Sequence, residues 1–301
     1  MAKDPKKNVF NRMWAFHATI WIARHLPIGV LRVIERTIAI VWHFLSRNIR
    51  SQVESNLTQV IGPDKKRLEA TSRQLFINYA DYLTDYTKWG MTETDKALAF
   101  LCSIEGKETF LREHKKGKGV ILLAAHLGNW ELGAMVFSHI GITFNVVTAK
   151  DEAEQIARVR LRARGMHNIK TITIDDEPFF FIDIVNALNR NEIVAMLVDR
   201  YEKKNGLQVD FFGKKTYFPI GPVLLAAATG APLMPSATVL EKDGKYRAFV
   251  GEPIVLASTG DKERDMFENV SKIAKIFEGY IRQYPDQWYN FKRLWKSEAL
   301  V

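Results

Sequence analysis

Five short and largely apolar runs are the feature that most limits the folds open to this chain. They lie at residues 120–125, 143–148, 169–174, 193–198 and 233–240. Runs of this kind are typical of strands that are buried on both faces of a parallel sheet. Segments with helical periodicity separate several of them, at residues 129–140, 152–164, 178–189 and 221–229. The alternation predicts an α/β fold, with a mostly parallel sheet flanked by helices.

The residues before the first run have a different pattern, which indicates a layer of helices. From residue 48 to about 113 the apolar positions step by three and four, with breaks at Gly62 and Gly90. We therefore expect one catalytic domain at residues 47–301, helical over 47–114 and α/β over 115–301. The single cysteine, Cys102, excludes a disulfide framework and a zinc site built on several thiolates.

The first fifty residues are basic and rich in tryptophan. They hold nine Lys or Arg residues against two acidic ones, a net charge of +7 out of +9 for the whole chain, together with Trp14, Trp21 and Trp42. The apolar runs at 13–23 and 38–45 are shorter than the roughly 18 residues that a spanning helix needs. The pattern predicts that residues 1–46 form an amphipathic, membrane-associating segment whose arginines reach lipid phosphates. The alternative is a pair of helices packed on the core of the protein, and no nucleic-acid-binding motif accompanies the charge.

The most informative stretch follows the first apolar run and contains His126, Asn129 and Glu131. In an open parallel sheet, ligands gather where strands end and helices begin. Asn129 is a suitable N-cap for the next helix, which would place Glu131 in its first turn. In that geometry Glu131 can accept a hydrogen bond from one imidazole nitrogen of His126 and leave the other as a base. The alternative is a histidine with a purely structural role.

The residues around His126 resemble the signature block of the lipid A late (secondary) acyltransferases, within the lysophospholipid acyltransferase superfamily marked by His-x4-Asp/Glu. The resemblance extends in chain order through blocks at residues 50–62, 75–79, 119–134, 199–200, 210–213, 219–222 and 229–235. Bacterial phosphatidylinositol mannoside acyltransferases share these blocks, so the resemblance is less specific for the acceptor than for the family.

The resemblance implies a role for each matching residue. His126 would be the general base and Glu131 would orient it. Arg164 best matches a functional arginine, although Arg160 and Arg162 stand close to it in the sequence and all three can equally belong to an exposed helix face. Asp199 would position Arg164 or the substrate hydroxyls. The substrate-binding candidates are Arg164, Asp199, Asn129 and Arg200.

The resemblance implies an O-acyltransferase that moves a fatty acyl chain from an acyl carrier protein or coenzyme A thioester to a hydroxyl of a membrane glycolipid. The expected acceptor is a lipid A precursor, and the expected place is the cytoplasmic face of the inner membrane, monotopic or peripheral. The thioester is already activated, so the chemistry requires no metal and no cofactor. The alternatives are a phosphatidylinositol mannoside or a lysophospholipid as acceptor, a thioesterase, or a non-catalytic membrane-binding homologue.

Overall fold

The computed structural model describes residues 26–89, 101–149, 154–174, 179–200 and 206–295. The helices in these ranges are α1 Ile28–Leu45, α2 Arg47–Ile61, α3 Lys65–Trp89, α4 Lys107–His114, α5 Trp130–His139, α6 Glu154–Met166, α7 Phe179–Asn189, α8 Gly221–Thr229 and α9 Lys262–Gln283. A short 3₁₀ helix, Pro285–Gln287, follows α9. The predicted run at 13–23, Trp14 and Trp21 lie outside the described residues.

The strands form one large sheet and a separate hairpin. Their bounds are β1 Leu101–Glu105, β2 Val120–Ala124, β3 Phe144–Ala149, β4 Ile169–Ile174, β5 Ile193–Leu197, β6 Gly206–Phe211, β7 Lys214–Pro219, β8 Leu233–Leu240 and β9 Tyr246–Val250. The sheet has the order β1-β9-β8-β2-β5-β3-β4, and the antiparallel hairpin is β6-β7. Strands β8, β2, β5, β3 and β4 run parallel, whereas β9 is antiparallel to β8 and β1 is parallel to β9. The predicted α/β class with a mostly parallel sheet is confirmed.

Strand β2 shows why the apolar runs become central strands. Leu122 packs in the cluster on one face of the sheet, and Ile121 and Leu123 pack in the cluster on the other. All five residues of β2 are buried, because helices cover both faces of the sheet. The register that pairs Val120 with Ile193 continues in step to Ala124 and Leu197. Strands β2 and β5 therefore end side by side at the carboxyl edge of the sheet.

The five predicted strands are confirmed with shifts of one residue at most, but the expectation of helix throughout residues 47–114 is wrong. Strand β1 lies inside that range and pairs with β9 at the edge of the sheet. Its sequence mixes apolar and polar residues because it is only partly covered, so it lacks the continuous apolar pattern of the central strands. Cys102 lies on this strand and is exposed.

Helix α1 is held on α3 by ion pairs with two buried carboxylates. Arg32 binds Asp85 through Nη2, at 2.8 Å from Oδ1, and Asp81 through Nη1, at 2.7 Å from Oδ1. Arg36 donates to both carboxylate oxygens of Asp81 at 3.0 Å. The expectation that arginines of the first 46 residues reach lipid phosphates is therefore wrong for these two, because their guanidinium groups neutralise buried carboxylates instead.

Candidate active site

Three backbone contacts fix the loop that follows β2, which we call the His126 loop (residues 125–129). The His126 carbonyl accepts from the Tyr289 amide at 2.8 Å, and the Gly128 amide donates to Gln287 at 3.0 Å. The Asn129 amide donates to the Thr238 carbonyl at 2.7 Å. The loop is thus held between β8 and the segment that follows the 3₁₀ helix.

Gly128 is required at its position for two reasons. Its φ is +62°, in the left-handed region that favours glycine. A Cβ there would also collide with the backbone carbonyl of Thr238. Gly128 therefore allows the bend that separates His126 from the helix α5.

The imidazole of His126 is bonded to a buried carboxylate. Its Nδ1 lies 2.8 Å from Oδ1 of Asp199, which also accepts from the His126 backbone amide at 3.0 Å. The other oxygen, Oδ2, accepts from Trp288 Nε1 at 2.8 Å. We call these three residues the relay. Asp199 follows β5, and continuing the β2–β5 register by two residues brings it beside His126.

The electrostatics of the relay decide which nitrogen of His126 carries the proton. Burial alone raises the pKa of Asp199, but the charge and hydrogen bond of His126, the charge of Arg200 and the hydrogen bond from Trp288 outweigh it and lower the pKa to about 2. Asp199 is therefore ionised at neutral pH and can only accept hydrogen bonds. In neutral His126, Nδ1 must then be the donor, which leaves the lone pair on Nε2.

The His126 side chain is half-buried, with 19% of its surface exposed, whereas that of Asp199 has none. The ring packs against Trp130 in a T-shaped contact, with the ring centroids 5.3 Å apart. One side of the imidazole is thus held by protein, while the ring still reaches solvent.

Glu131 is bonded to Arg164, not to His126. Its Oε1 accepts from Arg164 Nη2 at 2.6 Å and its Oε2 from Nε at 3.1 Å. Nη1 of Arg164 donates to Thr171 on β4 at 3.2 Å. The side chains of Glu131 and Arg164, which we call the buried pair, are 1% and 6% exposed, respectively. Burial lowers the pKa of Arg164, but the charge of Glu131 outweighs this and the pKa is raised.

The expected geometry of Glu131 and Asp199 is therefore wrong in its pairing. Asp199, and not Glu131, holds Nδ1 of His126, while Glu131, and not Asp199, holds Arg164. The bend at Gly128 leaves His126 at the end of the sheet, where the residue after β5, Asp199, supplies its carboxylate partner. Glu131 lies beyond the bend, in the first turn of α5, and its side chain contacts Arg164 of α6.

A family model for bacterial lipid A biosynthesis acyltransferases matches residues 1–297. The chain belongs to this family. The phosphatidylinositol mannoside acyltransferase of Mycobacterium tuberculosis (strain CDC 1551 / Oshkosh) is 24% identical over 99% of this chain and 93% of its own length. The protein of that name from Mycolicibacterium smegmatis (strain ATCC 700084 / mc(2)155) is 30% identical over 60% of this chain and 58% of its own length. The predicted family is confirmed, and the chain is an O-acyltransferase.

The structure also places the remaining candidates of this acyltransferase. Asn129 caps α5, since its Oδ1 accepts from the Leu132 amide at 3.0 Å. The exposed Arg200 lies beside Asp199 and donates to the carbonyl of Tyr289. Of the three neighbouring arginines, Arg164 is the one that binds Glu131, and Arg162 is exposed.

Sequence reasoning missed Trp288, the third member of the relay. It lies 162 positions after His126 in a segment with no strand or helix pattern, and it is 1% exposed. The sequence held one signal for Trp288: a buried tryptophan N–H needs a hydrogen-bond acceptor. That signal does not identify which residue the acceptor is. Among the described residues, no group of three or more His, Cys, Asp or Glu side chains is arranged to hold a metal ion.

Proposed function

We propose that this acyltransferase moves a fatty acyl group from an acyl thioester to a hydroxyl of a membrane glycolipid, with His126 as the general base. The observation that carries the proposal is the 2.8 Å contact between His126 Nδ1 and the buried Asp199. A base that is oriented by an ionised carboxylate and still reaches solvent is the arrangement that proton abstraction from a bound hydroxyl needs.

The proposed reaction is a single displacement at the thioester carbonyl. Nε2 of His126 takes the proton of the acceptor hydroxyl as its oxygen attacks the carbonyl carbon. The C–S bond of the tetrahedral intermediate then breaks, and the thiolate takes the proton from the imidazolium. Asp199 remains ionised and stabilises the imidazolium between the two steps. No covalent acyl-enzyme is needed, because the thioester is already activated.

We propose that the buried pair shapes the site instead of acting on the substrate. Arg164 joins α6 to Glu131 in the first turn of α5, two residues beyond the His126 loop. Its guanidinium is nearly enclosed and already serves Glu131 and Thr171. Arg200 is the better candidate for an anionic group of the acceptor, because its side chain is exposed beside the relay.

A narrow cavity of about 50 Å³ lies beside the His126 loop, lined in part by Leu127, Trp130 and Glu131, and is proposed to receive part of the acyl chain. Residues from β2, β3, β5, β8, β9 and α5 line it, and nearly all of them are apolar. Mostly apolar walls are the usual character of a site that binds a lipid chain.

We propose that the exposed face of α1 rests on the membrane. Its exposed apolar side chains are Val30, Val33, Ile34, Ile38, Val41, Phe44 and Leu45. They recur at three and four residues and so form one stripe along the helix, which we call the α1 stripe. In the part of the chain that the structure describes, no helix is long and apolar enough to cross a bilayer. A stripe of this kind suits an interfacial helix on the cytoplasmic face of the inner membrane.

The membrane proposal is tested by sedimentation with anionic vesicles. Val33→Glu/Ile38→Glu should release the full-length protein, because each charge would have to enter the interface. The matched control is Val255→Glu, which alters an apolar residue that is 79% exposed and lies outside α1. Equal retention of both variants would contradict the assignment of the stripe.

Two acceptors are supported by different observations. The family description favours a lipid A precursor, and the relatives named as phosphatidylinositol mannoside acyltransferases favour that glycolipid. The decisive experiment offers the purified full-length protein acyl carrier protein and coenzyme A thioesters, with a lipid A precursor, phosphatidylinositol mannoside or lysophospholipid as acceptor, and identifies the products by mass spectrometry. Acylated glycolipid supports the proposal. Free fatty acid alone would show a thioesterase, and acylated lysophospholipid alone would assign the other acceptor class.

A further inference from the structure

The segment at residues 287–290, which we call the strap, crosses the His126 loop as a short strand. The Tyr289 amide donates to the His126 carbonyl at 2.8 Å, and the Gly128 amide donates to the Gln287 carbonyl at 3.0 Å. These are the two hydrogen bonds of an antiparallel β-bridge. The strap also carries the indole that donates to the buried carboxylate of the relay. Its position therefore sets the position of both the loop and the third member of the relay.

The side chain of Gln287 attaches the strap to the end of β8. Its Nε2 donates to the Leu240 carbonyl at 2.7 Å, and its Oε1 accepts from the Leu240 amide at 2.8 Å. Strand β2 pairs with β8 only as far as Pro235, so β2 does not reach the backbone of Leu240. The side-chain amide of Gln287 bonds to this backbone as a neighbouring strand would, and the residue is only 4% exposed.

The side chain of Asn56 on α2 holds the other end of the strap. Its Nδ2 donates to the carbonyls of Asn290 and Lys292 at 3.0 and 2.8 Å, and its Oδ1 accepts from the Leu294 amide at 2.9 Å. Asn56 is 1% exposed. The strap is thus fixed at both ends by buried side-chain amides, one from its own first residue and one from the N-terminal helical layer.

We propose that Gln287 and Asn56 are positioning residues that hold the strap, and through it the relay and the His126 loop, in their working geometry. The effect on turnover rests on the proposed function, whereas the effect on the strap does not. Both residues act through backbone groups at the ends of the strap, so each should influence the chemistry only by moving it.

The physical basis is that neither side-chain amide can be removed without taking partners from backbone groups that are largely shielded from water. Without the amide of Gln287, the N–H and the carbonyl of Leu240 both lose a partner. Without the amide of Asn56, three backbone groups that follow the strap lose theirs. Backbone groups left unsatisfied away from water are costly, so the strap would shift or open to expose them.

The indole N–H of Trp288 reports the position of the strap without any substrate. Full-length protein labelled with ¹⁵N at its seven tryptophans gives this NMR signal, which is assigned by its absence from Trp288→Phe. Gln287→Met and Asn56→Leu should each speed exchange of this proton with solvent by about tenfold or more, since an unsatisfied buried group favours opening by that order. Each variant tests one end of the strap, so the measurement stands if one of them fails to fold.

Asn269 on α9 offers a matched control. Its side chain also bonds both backbone groups of a single residue, since its Oδ1 accepts from the Ala257 amide at 2.7 Å and its Nδ2 donates to the Ala257 carbonyl at 3.0 Å. It is 3% exposed, so Asn269→Leu removes a buried amide of the same kind outside the strap. This variant should leave the exchange of the Trp288 indole proton at the wild-type rate.

Steady-state kinetics test the consequence for turnover. Gln287→Met and Asn56→Leu should each lower kcat by roughly tenfold to 100-fold, the scale expected for a small misplacement of a catalytic group, with little change in KM. Asn269→Leu should keep the wild-type kcat. A kcat that fell as far in Asn269→Leu would overturn the proposal, because the loss would then follow from weakened folding in general.

The outcomes separate this proposal from the proposed function. Wild-type exchange of the Trp288 indole proton in both Gln287→Met and Asn56→Leu would overturn the positioning role, whether or not the protein transfers acyl groups. Equal acceleration by Asn269→Leu would overturn it as well. Faster exchange that is confined to the two strap variants, in a protein without acyltransferase activity, would support the role of the strap and refute the proposed function.

Discussion

The relay and the buried pair stand at the same edge of the sheet, and each joins an acidic side chain to a basic one. They differ in access. His126 is engaged through Nδ1 and its side chain is 19% exposed, whereas Arg164 is engaged through three nitrogens and is 6% exposed. This leaves His126 open to a bound group, whereas Arg164 is nearly enclosed. We therefore interpret the relay as chemical and the buried pair as architectural.

The difference also shows what the His-x4-Glu spacing means here. The chain brings His126 and Glu131 within five residues, yet each belongs to a separate unit. The tertiary fold, and not the sequence spacing, determines the partner of each residue. Strand β5 ends beside β2, which brings Asp199 to His126, and α6 lies near α5, which brings Arg164 to Glu131. A motif that is contiguous in sequence can thus contain residues with independent roles.

The largest expected effect tests whether the relay is one unit. His126→Ala should lower kcat by roughly 10²–10⁴-fold or more, the contribution typical of a positioned general base. Asp199→Asn should cause a loss of similar order, because an amide can donate to Nδ1 and select the wrong tautomer. The double variant should be little worse than His126→Ala alone, since residues that act together are strongly non-additive. Acyl transfer at matched protein concentrations measures all three.

The control for this prediction is His139→Ala, which removes an exposed histidine at the far end of α5. It should keep wild-type turnover. Turnover near the wild-type level in His126→Ala would refute the general-base mechanism. If instead Glu131→Gln, and not Asp199→Asn, were non-additive with His126→Ala, the division of the site into two units would be wrong.

The relay also shows how much of the candidate site could be predicted from the sequence. The apolar runs predicted the central strands, and therefore the edge at which His126 and Asp199 would lie. The pairing of His126 with Asp199 could not be predicted, because it depends on which strands are neighbours and the order β2-β5-β3 is not sequential. Trp288 could not be predicted for a similar reason, because the position of its segment is fixed by its β-bridge to Leu127 and not by a local sequence pattern.

The N-terminal layer shows the same limit in a different form. The basic charge, the tryptophans and the short apolar runs predicted an amphipathic segment over residues 1–46, but sequence could not tell which arginines face the protein. Arg32 and Arg36 point to Asp81 and Asp85, residues some fifty positions away on α3. Helix α1 packs on the core through one face and leaves the α1 stripe uncovered on the other, and membrane association stays a prediction.

The next effect concerns stability and is expected at the buried pair. Glu131→Gln or Arg164→Met should each lower the free energy of unfolding by about 3–5 kcal/mol, because the remaining partner is left buried and uncompensated. The double variant Glu131→Met/Arg164→Met should recover much of that loss, since an apolar pair needs no compensation. Chemical denaturation followed by circular dichroism measures the difference.

The comparison predicts a different response for the relay in the same assay. His126→Ala should change the free energy of unfolding less than Glu131→Gln does, because its ring is partly exposed. If the single substitutions in the buried pair proved neutral in stability while turnover fell, Arg164 would act on the substrate directly. That result would return it to the catalytic role that the family resemblance implies.

The smallest expected effect is the acid dependence of stability that Asp199 produces. Its pKa is about 2 in the folded protein, below the ordinary value of 3.8, so the folded state favours the ionised form. The resulting stabilisation, roughly 2 kcal/mol, is fully present above about pH 4 and is lost as the pH falls toward 2. The difference in unfolding free energy between wild type and Asp199→Asn should therefore shrink over that window.

Trp288→Phe removes one of the three hydrogen bonds that hold the carboxylate ionised, so it should remove only part of the acid-dependent change. Its cost in packing should be the same at every pH. A difference between wild type and Asp199→Asn that stays constant from pH 5 to pH 2 would mean that Asp199 carries no net stabilised charge, and the tautomer assigned to His126 would lose its basis.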